Sequence, residues 1–124
     1  MKIALIGCDT LTTAQAKSFA ISYCAKIRQK YTRDLQVVTV RQDELGRQVR
    51  IAARKLNIHR RTVDQDSFTD SDAEALAAGQ CMWIADRVVI LTGGSSKSRL
   101  SIAAVEIATR MSKRTKLIRS GEWQ

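Results

Sequence analysis

The chain has 124 residues, 44% of them hydrophobic, and its 21 basic side chains outnumber 12 acidic ones to give a formal net charge of +9 at pH 7. That length suits one domain over residues 1–124 and leaves little chain for a second core; the composition excludes fibrous and low-complexity classes, and no apolar run reaches the ~20 residues of a membrane helix. Cys8, Cys24 and Cys81 are widely spaced and lack paired histidines, so neither a disulfide framework nor a metal site is expected, no cofactor is assigned, and reduced thiols in a cytoplasmic protein are the expectation.

Met1 to Gly7 is too short an apolar run for a signal peptide and reads as a first strand, Lys2 to Ile6, ending at a glycine. From Thr13 to Lys30 the residues Ala16, Phe19, Ala20, Tyr23, Cys24 and Ile27 recur at steps of three and four, which predicts an amphipathic helix with Thr12 or Thr13 as N-cap. Leu35 to Val40 follows as a second strand. Asp43 then caps a second helix that turns Leu45, Val49, Ala52, Ala53 and Leu56 inward and Arg47, Arg50 and Arg54 outward. A weak strand is expected within Asn57 to Val63. An Asp-rich turn leads into a helix from about Ser71 through Ala75, Leu76, Ala78 and Met82. Arg87 to Leu91 is the clearest strand, a largely buried helix begins near Leu100, and Thr115 to Ile118 is the last strand. Strands and helices alternate throughout, so the expected fold is a Rossmann-like α/β domain of three layers, with a mostly parallel sheet of about five strands.

In such a sheet ligands sit beyond the carboxyl ends of the strands, where the strand order reverses. Two loops occupy that edge. Gly7-Cys8-Asp9-Thr10 follows the first strand, and Thr92-Gly93-Gly94-Ser95-Ser96-Lys97-Ser98 follows the Arg87 strand. The second loop combines free backbone, hydroxyls, a cation and unpaired amides at a helix start, which together suit a phosphate. A plain strand-to-helix turn with one serine as N-cap is the alternative. The loop is no Walker A motif, because Ser96 stands where a glycine must precede Lys97-Ser98. Arg41, at the end of the second strand, offers a charged fork to the same edge or serves as a surface arginine. Asp9 could hold a ribose hydroxyl or cap a turn, and Cys8 reads as small filler beside the site. His59 has no cysteine or acid spaced for a metal or triad, and Trp83 could pack in the core or against a second copy of the chain.

The segment Ala85-Asp86-Arg87-Val88-Val89-Ile90-Leu91-Thr92-Gly93-Gly94 resembles the approach to the Gly-Gly loop of LOG-type nucleoside-monophosphate phosphoribohydrolases, and 7–12 resembles their first loop. Over about residues 2 to 118 the chain is similar to the SMF/DprA and LOG (SLOG) superfamily of Rossmann-like domains, including small YspA-like members. The resemblance implies a nucleotide or nucleotide-derived ligand. It also marks departures. Ser96-Lys97, or Lys97-Ser98 in a shifted register, stands for the Gly-Thr of the enzymes; their catalytic Glu falls on Leu100 or Ser101; and their Arg-Lys pair falls near Ala77 and Ala78. The middle loop, 40–46, has one glycine where YspA-like members have several. The nearest downstream acid, Glu106, is expected to be partly buried and paired.

Charge is uneven along the chain. The eleven bases between Lys26 and Arg61 face only Asp34, Asp43 and Glu44 in the same stretch. That block reads either as solvated helix faces or as a steering field for polyanions. From the loops and the resemblance, the leading function is a module that senses or sequesters a nucleotide-type anion at the carboxyl edge without the family's acid. A basic nucleic-acid-binding domain is the first alternative, and a divergent N-glycosidase using Glu106 or Asp9 is the second. No membrane partner is expected, and homo-oligomerisation is left open.

Overall fold

Strands whose two alternating sets of residues are both apolar need cover on both faces. The computed structural model describes residues 1–7, 11–68, 73–92 and 106–119. β1 (Lys2–Gly7), β2 (Gln36–Val40) and β4 (Arg87–Thr92) are strands of this kind, and β3 (His59–Val63) and β5 (Arg114–Arg119) flank them at the two edges. All neighbours are parallel and the order is β3-β2-β1-β4-β5. The expected Rossmann-like α/β architecture is therefore present.

The helices are α1 (Thr13–Lys30), α2 (Glu44–Lys55) and α3 (Ala73–Ile84), with a single 3₁₀ turn at Gln65–Ser67 and helical residues at 106–110. The chain winds outward from β1 through β2 to β3, then crosses back to β4 and continues to β5. Crossovers of one hand must then put the first two helices on one face and the later ones on the other. Ile3, Leu5, Val37, Val89 and Leu91 accordingly pack with α1 and α2, while Ala4, Ile6, Val38, Val88 and Ile90 pack with α3 and with Ala108. Cys24 lies in the first layer and Cys81 in the second, both as buried free thiols. Burial pushes each thiol up to about 12. Among the described residues, no helix is long and apolar enough to cross a membrane.

Local chemistry explains the boundaries. Thr12 accepts from the Gln15 N–H at 3.2 Å while the Gln15 side chain accepts from the Thr12 N–H at 3.0 Å, a reciprocal cap at the start of α1. The apolar stripe of α1 is buried as expected at Ala16, Phe19, Ala20, Cys24 and Ile27, and Tyr23 stacks on Phe19 with ring centroids 5.1 Å apart. In α3 the burial falls on Ala77, Ala78, Cys81 and Met82, whereas Leu76 is exposed and Trp83, 70% exposed, lies outside the core. The expected start of α3 at Ser71, and the expected helix start near Leu100, lie outside the described residues. β3 has four exposed residues, His59 to Thr62, and owes its place to pairing with β2 along its whole length.

One expectation for α2 needs correction. Arg47 and Arg54 face solvent, but Arg50 is half-buried, and its Nη1 donates to Thr39 Oγ1 at 2.8 Å and to the Val40 carbonyl at 3.2 Å. Its Nη2 donates to the Arg41 carbonyl at 3.0 Å. The helical position of Arg50 is peripheral, yet its long stem lets the guanidinium fold back onto the end of β2. This contact requires α2 to lie close to the sheet, and Gly46 permits it: a Cβ there would stand 2.6 Å from the Val40 carbonyl oxygen and 3.1 Å from Thr39 Cβ. Gly46→Ala should destabilise the protein by about 1–3 kcal/mol, because overpacking against backbone exceeds the ~1 kcal/mol that alanine gains in a helix. Urea unfolding midpoints check this, and an unchanged or higher midpoint would remove the close approach as a constraint.

Candidate functional site

The two inner strands set the site. β1 and β4 are adjacent and paired up to Gly7 opposite Leu91, so their ends, Gly7 and Thr92, lie on neighbouring strands about 4.8 Å apart. α1, the helix after β1, packs on one face, and Ala108, after β4, packs on the other, so the strand order reverses between them. Arg41 follows the next strand, β2. Of the expected ligand residues, Gly7, Thr92 and Arg41 thus share the carboxyl edge in the order Arg41, Gly7, Thr92. Cys8, Asp9, Thr10, Gly93, Gly94, Ser95, Ser96, Lys97 and Ser98 lie outside the described residues, as do Leu100 and Ser101.

Asp43 organises the described part of the edge. Its Oδ2 accepts from the Gly7 N–H at 2.8 Å and its Oδ1 from the Leu45 N–H at 3.3 Å, so one carboxylate joins the last residue of β1 to the first turn of α2. Gly7 is held tightly: a Cβ there would lie 2.6 Å from Leu45 Cβ and 2.9 Å from Asp43 Oδ1. Burial pushes the Asp43 carboxyl up to about 6, against the opposing pull of the Gly7, Leu45 and Gly46 amides and of the Arg50 charge. Desolvation is therefore the dominant effect on this group.

A cleft of about 160 Å³ opens beside Asp43, over the ends of β1 and β2 and against α3. Ile6, Gly7 and Val40 form its floor, with Leu11 and Ala78 at its sides and Gln42, Glu44, Gln65 and Glu74 supplying polar groups. Typical small-molecule pockets hold about 300–1,000 Å³, so this cleft has room for one part of a nucleotide-sized ligand. Its carboxylates and amide oxygens accept hydrogen bonds, which suits hydroxyl or amino groups and disfavours a phosphate.

Arg41 is already engaged. Its Nη1 meets Asp64 Oδ2 at 3.0 Å, with the arginine side chain 67% exposed. Asp64 also accepts from Gln42 Nε2 at 2.6 Å and from the Asp66 N–H at 2.9 Å, while Gln42 Oε1 accepts from the Gln65 N–H at 2.9 Å. These donors, Gln42 foremost, hold the Asp64 carboxyl below its ordinary range. The β2 end and the 3₁₀ turn are thus tied into one rim. Glu44 is bridged to Arg47 at 3.0 and 3.1 Å and to Gln48 at 3.0 Å, and the Arg47 hydrogen bond is the main reason its carboxyl falls to about 2.

Sequence reading assigned Asp43 only a capping role. Its bond to Gly7 spans 36 positions, and the one available signal was an acid placed just past a strand end on the ligand edge. Glu106, expected to be partly buried, is exposed and pairs with Arg110 at 2.8 Å on one helical turn. His59 is exposed on β3. Comparison with protein-family models, curated proteins and solved structures gives no match to this chain.

Asp43 also sets a pH dependence. A carboxyl with a raised folded-state pKa holds its proton more tightly when folded, so its contribution is most favourable below about pH 4 and is lost as pH rises through about 6. Between pH 4 and 7 the parent should lose about 2–3 kcal/mol relative to Asp43→Asn, whose side chain does not ionise. Urea titrations of both proteins across that range measure the difference, and parallel pH profiles would contradict the assignment.

Proposed function

We propose that the protein binds a nucleotide or nucleotide-derived anion along its carboxyl edge, as a sensing or sequestering module. The observation that carries this reading is the reversal of strand order between β1 and β4, with Gly7 and Thr92 at the two adjacent strand ends. Both glycine-bearing loops spring from that point, and the 93–98 sequence supplies backbone amides, three serines and Lys97 for a phosphate. The ligand's phosphate lies toward that loop. Its sugar hydroxyls lie toward the cleft beside Asp43, where acceptors predominate and the volume suits a ribose-sized group.

The resemblance of 85–94 and 7–12 to SLOG loops supports the same ligand class. It does not support turnover, because Leu100 or Ser101 stands at the place of the family's acid and Ala77 and Ala78 near that of its Arg-Lys pair. Ala77 and Ala78 are buried in α3, where no longer polar side chain reaches the edge from those positions. Glu106, exposed and paired with Arg110, offers no replacement.

Thermal unfolding with AMP, NAD, ADP-ribose and cyclic nucleotides tests the proposal. A ligand at a hundred times its Kd contributes about 2.7 kcal/mol and should raise Tm by about 10 °C in a chain of this size. Gly94→Glu, which adds bulk and negative charge to the loop, should abolish the shift without lowering the Tm of the unliganded protein by more than a few degrees. A shift that survives in Gly94→Glu, or no shift with any of the four ligand types, overturns the reading.

A further inference from the structure

Beside the cleft, α2 and β3 enclose a second, open groove of about 390 Å³ lined by Arg47, Arg50, Ile51, Arg54 and Arg60. The helical contributors are spaced i, i+3, i+4 and i+7, so they form one stripe about 10 Å long at a rise of 1.5 Å per residue. Arg60 joins them by strand register. It lies opposite Val37, whose side chain belongs to the α1/α2 layer, whereas Arg61 lies opposite Val38 of the other layer. β3 is the outer strand of the sheet, so the groove is open on that side.

Four guanidinium groups here face two carboxylates, Glu44, which is bridged to Arg47, and Asp43, whose charge acts on Arg50. Arg50 is fixed by its bonds to Thr39, Val40 and Arg41, which hold its charge at the groove floor. Arg54 and Arg60 have no ion-pair or hydrogen-bond partner among the described residues. The net excess of about two positive charges lies along a stripe of about 10 Å, over which one strand of a duplex advances about three residues along the helix axis at ~3.4 Å each. Arginine forks suit phosphate oxygens because they can donate two parallel hydrogen bonds. The groove's one exposed apolar group is Ile51, so it has no aromatic ring on which an unpaired base could stack. It is also too open to enclose a mononucleotide.

We infer that the α2/β3 groove is a docking surface for the phosphodiester backbone of double-stranded nucleic acid, contacted without reading its sequence. Arg54 and Arg60 supply the free charges, Arg50 the fixed one, and Arg47 exchanges Glu44 for a phosphate at the rim. The surface adjoins the edge proposed for the nucleotide at Arg50 and Glu44, but its free arginines, Arg54 and Arg60, do not line the cleft there. Backbone contacts alone imply similar affinity for unrelated duplex sequences and a strong salt dependence.

Fluorescence anisotropy of the full chain with labelled 20-base-pair DNA and RNA duplexes of mixed sequence tests the inference. Arg54→Gln/Arg60→Gln should weaken binding about tenfold or more at 50 mM salt, and should reduce the slope of log K against log salt by about 2, since each lost phosphate contact removes ~0.9. Lys17→Gln/Arg33→Gln removes the same net charge from exposed sites on α1 and the loop after it, and should change the slope far less. Thermal melts of both doubles confirm folding. Comparable binding to the two duplex types means shape-independent backbone contact; preference for one identifies which nucleic acid it is. Equal losses in the two double variants would reduce the effect to overall charge and overturn the groove. Absence of duplex binding, with or without capture by phosphatidylserine vesicles, would overturn it as well.

Discussion

The close approach of α2 to the sheet governs the rest of the structure. It depends on two positions without a Cβ: Gly46 lets the helix lie against the end of β2, and Gly7 lets β1 end beneath Leu45 and Asp43. At that distance the Asp43 carboxylate reaches the Gly7 amide and Arg50 reaches three acceptors at the end of β2. The helix start, two strand ends and the cleft floor are thereby fixed relative to one another. A part-buried carboxylate is a costly way to join them, since burial disfavours its charge and raises the Asp43 pKa. Three backbone amides and a nearby guanidinium offset part of it.

Much of this fold can be read from residue order because its strands are short apolar runs and its helices carry clear stripes. α1 is the clearest case: its limits, cap and buried residues all follow from spacing and from the threonine before it. β3 is harder, since His59-Arg60-Arg61-Thr62 has no apolar alternation, and only the neighbouring β2 ladder supplies its partners. Arg50 shows a different difficulty. Periodicity gives the direction in which a Cβ leaves a helix, but a long side chain can return to polar atoms that lie one layer below. The link between Asp43 and Gly7 was hidden for a related reason, since local patterns identify a cap without naming the distant amide that shares it. At the candidate site the placement of Gly7, Arg41 and Thr92 along one edge follows from strand order, while the existing pairing of Arg41 with Asp64 does not.

The sequence-level surplus of positive charge also resolves into a spatial contrast. Acceptors collect in the cleft at the carboxyl edge, around Asp43, Glu44 and Glu74, whereas arginines collect along the outer side of α2 and on β3. Glu44 lies at the junction, lining the cleft while its oxygens are bound by Arg47 and Gln48. A uniform basic coat would attract any anion to any face. The segregation seen here separates groups that accept hydrogen bonds from groups that donate them, and it gives adjacent surfaces different chemical preferences.

The division of the two buried thiols between layers has a practical consequence. Cys24, on α1, lies in the layer shared with α2, and Cys81, on α3, lies in the opposite layer, with the sheet between them. Each thiol resists ionisation, so neither reacts readily until its own layer opens. Their alkylation half-times are therefore independent clocks for breathing of the two halves of the core. A ligand that clamps only one side of the sheet would slow one clock and leave the other running.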